Sequence, residues 1–196
     1  MLVDSHCHLE FPEFAPELDQ VIARATDAGI GRMVTISTRV RQFDKIKAIA
    51  ERYDEVFCTI GTHPHNASEE TDVTADELCA IADYDKVVGI GEAGLDFHYD
   101  NSPRDIQAAS FRVHIEAARR TGLPLIIHTR SADDATAEIL EDEMGKGAFP
   151  MLLHCFSSSA ALARKGIELG AYISFSGILT FKAANELRQI AKRVIA

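Results

Sequence analysis

The chain has 196 residues, of which 46% are hydrophobic and 26% are charged, and its formal net charge at pH 7 is −10. Such a length and composition are typical of one globular domain, or of part of a larger one, and exclude a disordered chain. No apolar run approaches the roughly 18 residues that a membrane span requires. The start has no basic region followed by a long apolar stretch, so a secretory signal is not indicated. We therefore expect a cytoplasmic protein with no membrane segment.

The negative charge restricts how nucleic acid could bind. A protein that neutralises many phosphates usually carries a basic face, so a broad nonspecific DNA binder is disfavoured. A bound metal cation, however, supplies positive charge locally and could meet a phosphate group on its own. DNA therefore stays possible as a substrate, and nothing in the sequence predicts a protein partner.

Short apolar runs alternate with amphipathic stretches from end to end of the chain. Most runs are continuous rather than alternating in polarity, which is expected for parallel strands that are buried on both faces. Between them lie helical patterns with recognisable ends, such as the capping-box spacing of Thr74 and Glu77 and the stop at Gly122. The predicted strands cover residues 2–4, 33–37, 56–60, 87–91, 125–128, 151–154 and 172–175.

Seven βα units of similar length fit either a doubly wound sheet or a TIM barrel. No G-x-G-x-x-G follows the first predicted strand, so nothing marks a dinucleotide crevice. The polar residues decide between the two, because they fall at the carboxyl ends of strands that are distant in sequence. In a barrel these ends open onto one face, whereas a doubly wound sheet spreads them along an edge. We predict an α/β fold, a (β/α)8 TIM barrel of which about seven of the eight units are present.

The histidines follow the predicted strands rather than being scattered. In His6-Cys7-His8, alternate residues of a strand point the same way, so both imidazoles can face one cation while Cys7 packs outward. Two ordinary hydrogen-bonding histidines are the alternative, which the gathering of further polar residues on the same face disfavours. The residues predicted to converge there are His6, His8, His63, His65, Glu92, His128 and His154.

Imidazole and carboxylate ligands suit zinc, manganese, iron or cobalt, and magnesium where carboxylates and water dominate. A metal lowers the pKa of its bound water toward neutrality and so generates a nucleophile without a serine or cysteine. The sequence has no G-x-S-x-G elbow and no phosphate-cradling glycine loop, which leaves other chemistries with little support.

One arginine and four histidines carry separate expectations. The guanidinium of Arg130 suits a phosphate because its fork of donors matches two oxygens, although it could also pair with a surface carboxylate. We expect His63, before Pro64, to contact substrate. The role of His65 stays open, His98 is assigned none, and His114 is expected on the surface of a helix.

The four cysteines show no C-x-x-C spacing. Three of them (Cys7, Cys58 and Cys155) lie in or beside predicted strands, so we expect buried free thiols, which suit a reducing compartment.

These motifs, in this order, resemble the TatD family of metal-dependent deoxyribonucleases within the amidohydrolase-like barrels. The resemblance extends over essentially the whole chain, and the motifs are specific together although not singly. The matching segments are Asp-Ser-His-Cys-His-Leu at 4–9, Gly-Thr-His-Pro-His at 61–65, Gly-Glu-Ala-Gly-Leu-Asp at 91–96, residues 124–130, His-Cys-Phe-Ser at 154–157, and residues 177–182.

The resemblance implies two divalent metal ions (magnesium, zinc or manganese) that share Glu92. His6, His8 and Glu92 would hold one ion, and Glu92, His128 and His154 the other. Glu92, His128 and His154 are thus the expected catalytic residues. His63 and Arg130 would face the substrate phosphate, and the implied activity is hydrolysis of DNA phosphodiester bonds, often from the 3′ end.

One departure from the family is large. The family places a further aspartate ligand at the end of strand eight, and nothing similar occurs before Ala196. We therefore expect residues 1–196 to be a single TIM-barrel hydrolase domain that is incomplete at its carboxyl end, with weakened metal binding and slow turnover. Ser158 stands where a glycine is more usual, and we expect only a local loop change.

Two alternatives remain at this stage. One is a metal-dependent hydrolase that cleaves an amide or ester bond in a small molecule. The other is a catalytically impaired fragment that binds metal without turnover.

Overall fold

The computed structural model describes residues 1–194, which form alternating strands and helices around one parallel sheet. The strands are β1 (Leu2–Cys7), β2 (Ile30–Thr35), β3 (Val56–Ile60), β4 (Val87–Asp96), β5 (Leu125–Arg130), β6 (Met151–Leu153) and β7 (Tyr172–Ile173). The helices are α1 (Leu18–Asp27), α2 (Phe43–Arg52), α3 (Ala75–Ala82), α4 (Arg104–Thr121), α5 (Asp133–Lys146), α6 (Ala160–Glu168) and α7 (Asn185–Val194), with short 3-10 turns between them.

Each strand pairs with the next one in the sequence, in the order β1 to β7, and every pair is parallel. This consecutive order confirms the barrel-type α/β prediction and differs from a doubly wound sheet, whose strand order reverses at a switch point. All seven predicted strands are present. The strands β1 and β7 are the two edges of the described sheet, and Leu2, Val3 and Tyr172 on them are largely exposed. The incomplete carboxyl end stays a prediction.

Side chains from the central strands and from α4 form the middle of the core. Ile60, Ile90 and Leu125 of the sheet are fully buried, as are Phe111 and Ile115 of α4. The central strands are covered on both faces, which is why their sequences read as continuous apolar runs. The predicted N-cap of α3 is also confirmed, because the hydroxyl oxygen of Thr74 accepts a hydrogen bond from the backbone of Glu77 at 3.2 Å. The carboxylate of Glu77 pairs with Arg41 instead of closing the capping box.

The prediction that His114 lies on the surface is wrong. Its side chain is fully buried in α4. Its Nδ1 lies 2.8 Å from the carbonyl oxygen of Ser110, and its Nε2 accepts a hydrogen bond from the backbone of Thr62 at 2.9 Å. Burial lowers the pKa of His114 to about 4, so the ring is neutral at pH 7. It ties α4 to the loop that follows β3.

Two glycine contacts bring β4 close to its neighbours just before the carboxyl ends of the strands. A Cβ on Gly61 would lie 2.5 Å from the Cα of Gly91. Gly94 has a φ of +146°, and a Cβ there would lie 2.0 Å from the carbonyl oxygen of His128. Only glycine fits at Gly61 and Gly94. The backbone of β4 therefore lies close to β5 and to the loop after β3, which brings the polar side chains of these segments together.

The four cysteines are free thiols, with Cys58 buried and the other three partly buried. No helix within residues 1–194 combines the length and the apolar character needed to cross a lipid bilayer.

Candidate metal site

A cavity of about 1280 Å³ opens at the carboxyl ends of the strands. β4 is longer than predicted and carries acidic residues into this end of the sheet. The histidines come from β1 and β5 themselves and from the loops after β1, β3 and β6. All seven predicted site residues line the cavity, namely His6, His8, His63, Glu92, His128, Arg130 and His154.

The first cluster of possible ligands consists of His6, His8 and Glu92. One ligand atom from each of these side chains lies within 4.8 Å of the others. The Nε2 of His6 is 3.3 Å from a carboxylate oxygen of Glu92. The Nδ1 of His6 is buried and has no hydrogen-bond partner among the described residues. An unpartnered buried nitrogen is costly in a closed apolar core, and a bound ligand would relieve that cost.

The second cluster consists of His63, Glu92 and His128, whose ligand atoms again lie within 4.8 Å of one another. The Nδ1 of His128 is 2.9 Å from Glu92 and 3.3 Å from the Nε2 of His63. His154 belongs to neither cluster. Its ring stacks on that of His6, with 3.4 Å between centroids and 6° between planes. Glu92 is therefore common to both clusters. In the second cluster His63 takes the position beside Glu92 and His128 that the family resemblance implied for His154.

Glu92 is the acidic centre of the cavity and is only 4% exposed. Burial alone would raise the pKa of its carboxyl group. Hydrogen bonds from His128 and His6, together with the nearby imidazole of His63, outweigh burial and hold this pKa well below its usual range. Glu92 is therefore ionised at neutral pH and can serve as a bridging ligand.

Two imidazoles of the cavity are held in their neutral form. Burial lowers the pKa of His63 to about 3 and, with the neighbouring imidazoles, that of His154 to about 4. Only a neutral imidazole has a free lone pair for a metal. Neutral imidazoles around an ionised carboxylate are a donor set that suits first-row divalent cations, so the residues present fit the metal that the sequence implied.

Asp96 is a site residue that the sequence argument quoted without assigning it a role. It is fully buried at the end of β4. One carboxylate oxygen lies 2.9 Å from the Nε2 of His65 and 3.0 Å from the Nε2 of His128. The signal was available in the sequence, because Glu92 and Asp96 are four positions apart on one strand and so point the same way. This contact also gives His65, whose role was open, a defined partner.

Glu10 is a second acidic residue that the sequence argument missed. Its carboxylate lies 3.3 Å from the Nδ1 of His8 and accepts a hydrogen bond from the hydroxyl of Thr35 at 3.0 Å. Burial lowers the pKa of His8, but the hydrogen bond to Glu10 and the negative charges of Glu10 and Glu92 together outweigh burial, so the pKa is raised overall. Carboxylates that hold the far nitrogen of an imidazole fix its orientation and its tautomer.

Cys7 is ruled out as a nucleophile by its surroundings. Its sulfur points away from the cavity and donates to the carbonyl oxygen of Val34 at 3.3 Å. Burial raises the pKa of Cys7 to about 12, so the reactive thiolate is absent at neutral pH. This agrees with the expected packing role.

Arg130 and Arg39 are the two arginines that line the cavity, and they differ in their partners. Arg39 forms a bidentate ion pair with Glu69, at 2.8 and 3.1 Å. Arg130 makes no ion pair with any residue in 1–194, and its guanidinium lies 4.7 Å from the centre of the Tyr99 ring. The cavity therefore presents one uncommitted guanidinium next to the cluster of imidazoles and carboxylates.

A barrel-type parallel sheet with ionised carboxylate and neutral imidazoles at the carboxyl ends of its strands defines a metal-dependent hydrolase. The profile of the family described as TatD related DNase matches residues 3–195. The chain therefore belongs to the TatD family of metal-dependent hydrolases.

Individual relatives agree with this assignment. The chain is 36% identical to the uncharacterized metal-dependent hydrolase YabD of Bacillus subtilis, an alignment that covers 99% of this chain and 76% of the relative. It is 35% identical to the uncharacterized metal-dependent hydrolase YcfH of Escherichia coli, with coverages of 98% and 73%.

Among solved structures, the TatD homologue YJJV of Escherichia coli superimposes with a TM-score of 0.86 at 29% identity, covering 96% of this chain and 73% of that one. An organophosphorus hydrolase from Deinococcus radiodurans superimposes with a TM-score of 0.65 at 16% identity, covering 98% of this chain and 70% of that one, which shows a shared fold alone.

Proposed function

We propose that this chain is a deoxyribonuclease that hydrolyses DNA phosphodiester bonds, acting from the 3′ end, with two divalent cations. The observation that carries the proposal is the uncommitted guanidinium of Arg130 at the cavity whose ligand clusters share Glu92. A fork of donors beside a cation site matches the charge and the geometry of a phosphate group.

The cations would be held by residues from four strands and their loops. His6, His8 and Glu92 would hold one, and Glu92 and His128 the other, with His154 as a further ligand. Bound cations would acidify a water molecule and neutralise the charge that develops on the phosphoryl oxygens. Magnesium, manganese and zinc are all compatible with this mixture of nitrogen and oxygen donors.

The protein's own side chains would bind and orient the phosphodiester. Arg130 would hold two of its non-bridging oxygens. His63, neutral because burial lowers its pKa to about 3, would donate a hydrogen bond to the same phosphate without adding charge. Asp96 would hold the ring of His128 through its Nε2, at 3.0 Å, so that the Nδ1 faces Glu92.

The charge of the chain is consistent with a local rather than a spread-out interaction with DNA. The net charge of −10 disfavours binding along an extended backbone. Contacts limited to the cations, Arg130 and one or two nucleotides do not need a basic surface. The four free cysteines suit the reducing cytoplasm, where we place the reaction.

The test is release of nucleotides from end-labelled single-stranded DNA in the presence of magnesium or manganese. We expect stepwise shortening of a 5′-labelled strand, complete loss of activity with a chelator, and loss in the His6→Ala variant. Arg24→Ala, a change on the exposed face of α1, serves as the matched control and should leave the rate unchanged. Absence of metal-dependent release from a folded wild-type chain would contradict the nuclease assignment.

A further inference from the structure

Tyr99 is an exposed aromatic side chain beside the mouth of the metal cavity. It is 55% exposed, although tyrosine buries much apolar area when it is free to do so. The guanidinium of Arg130 lies 4.7 Å from the centre of its ring. The ring of His65 meets it edge to face, with 5.3 Å between centroids. Both neighbours line the cavity, so Tyr99 extends the cavity wall toward solvent.

The backbone of Tyr99 is held in place by Asp96, which also contacts two histidines of the cavity. Its backbone N–H donates a hydrogen bond of 2.8 Å to Asp96, whose other carboxylate oxygen lies within 3.0 Å of both His65 and His128. The loop after β4 is therefore anchored on the same carboxylate that orients two imidazoles. An exposed ring held in this way is pre-organised and costs little entropy when it receives a partner.

We propose, resting on the nuclease function above, that Tyr99 determines specificity by stacking on the base next to the phosphate that Arg130 binds. Base–aromatic stacking tolerates any base sequence and needs no positive charge, which suits a chain with a net charge of −10. The base must be unstacked from its own strand, as in single-stranded DNA or at a frayed 3′ end. The hydroxyl group of Tyr99 is not required for this role.

The plainer role for Tyr99 is to support the guanidinium of Arg130. The two roles predict different behaviour toward a substrate without a base. A support for Arg130 acts on every phosphodiester equally, whereas a stacking surface distinguishes a nucleotide from the same sugar-phosphate that lacks its base. The comparison must therefore use matched base-bearing and abasic strands.

The experiment measures equilibrium binding with magnesium present, and every strand carries a hydrolysis-resistant phosphorothioate at its 3′-terminal linkage so that it stays intact. A short single strand with 2-aminopurine at its 3′-terminal position reports stacking through quenching of its fluorescence. The same strand with an abasic 3′-terminal position competes with it. We expect the wild-type protein to bind the base-bearing strand about tenfold more tightly, a factor typical of one base–aromatic stack.

Three variants complete the design. Tyr99→Phe should keep both the quenching and the tenfold preference, and Tyr99→Leu should lose both. Tyr172→Leu removes an exposed tyrosine on the edge strand β7 and should behave as wild type. Equal affinity of the wild type for the two strands, or an unchanged preference in Tyr99→Leu, would overturn the stacking role.

The outcome is separable from that of the cleavage assay. Metal-dependent cleavage without base preference would leave the nuclease function standing and remove the role of Tyr99. Base preference that depends on Tyr99, without cleavage of any phosphodiester, would keep the stacking surface and remove the nuclease function.

Discussion

Asp96 and His128 face each other across the ends of β4 and β5, with 3.0 Å between a carboxylate oxygen of the first and the Nε2 of the second. The Nδ1 of the same ring is 2.9 Å from Glu92. The imidazole is therefore held between two buried carboxylates, one of which also belongs to the candidate metal clusters.

Asp96→Asn should weaken cation binding without removing a ligand. The carboxamide keeps an oxygen that can accept from the backbone of His98 and Tyr99 but loses the charge that orients His128 and His65. Loss of such an outer carboxylate typically lowers metal affinity by roughly 10- to 100-fold. Titration with zinc against a chromophoric chelator measures this change. Asp105→Asn, at an exposed position in the first turn of α4, should leave the affinity unchanged.

Glu92→Gln should abolish the binding of both cations, because this carboxylate is common to the two clusters. His8→Ala should remove only the cation that His8 contacts. Metal analysis of the proteins at equilibrium with zinc would then give about two, one and no bound ions for the wild type, His8→Ala and Glu92→Gln. Equal losses in the two variants would contradict a shared Glu92.

Arg130→Met should reduce phosphodiester cleavage much more than cleavage of an uncharged ester. Hydrogen bonds to charged groups contribute about 1.5–3 kcal/mol, so kcat/KM for the phosphodiester should fall roughly 10- to 100-fold. The matched control is Arg39→Met, which removes a guanidinium already committed to Glu69 and should change the rate only slightly. An equal effect of Arg130→Met on both kinds of substrate would favour a small-molecule amide or ester hydrolase.

His114→Gln should make the stability of the fold less dependent on pH. The pKa of His114 is lowered from 6.5 in the unfolded chain to about 4 in the fold, so the unfolded chain takes up the proton first as the pH falls. The free energy of unfolding therefore falls by about 3 kcal/mol as the pH drops from 6.5 to 4, because each unit of pKa difference corresponds to 1.36 kcal/mol.

Urea unfolding at pH 7 and at pH 4.5 measures this loss of stability on acidification. The wild type should lose more free energy of unfolding on acidification than His114→Gln, although the variant starts lower at pH 7 because its hydrogen bonds are altered. The exposed His98 provides the control, since His98→Gln should not change this dependence. A variant with the full pH dependence would contradict the buried neutral ring.

The order and type of the strands could be predicted because each is an apolar run between helical patterns with clear ends. The end of β4 could not be placed as well, since Gly89, Gly91 and Gly94 interrupt the apolar run while the strand continues to Asp96. His114 was misplaced although Phe111, His114, Ile115 and Ala118 share one helical face, a pattern that indicates burial. The polarity of the imidazole is typical of a surface residue, whereas its spacing from Phe111 and Ile115 is that of the buried face.

The gathering of histidines could be predicted from strand ends, but the pairing of individual rings could not. His63 and His154 each follow a strand. The ring of His63 lies beside Glu92, whereas that of His154 stacks on His6. This difference depends on the conformation of the loops and on side-chain χ angles, which the sequence does not determine locally. Such choices depend on packing between distant segments, which strand periodicity does not describe.

The tight fit of Gly94 over the carbonyl oxygen of His128 bears on how this scaffold could be redesigned. A side chain at 94 would push β4 and β5 apart and carry Glu92, Asp96 and His128 out of register with one another. The rim residues Tyr99 and Asn101 have no such constraint, because both are exposed. Libraries aimed at new substrates should vary the rim and hold position 94 constant, since the chemistry depends on a glycine that touches no substrate.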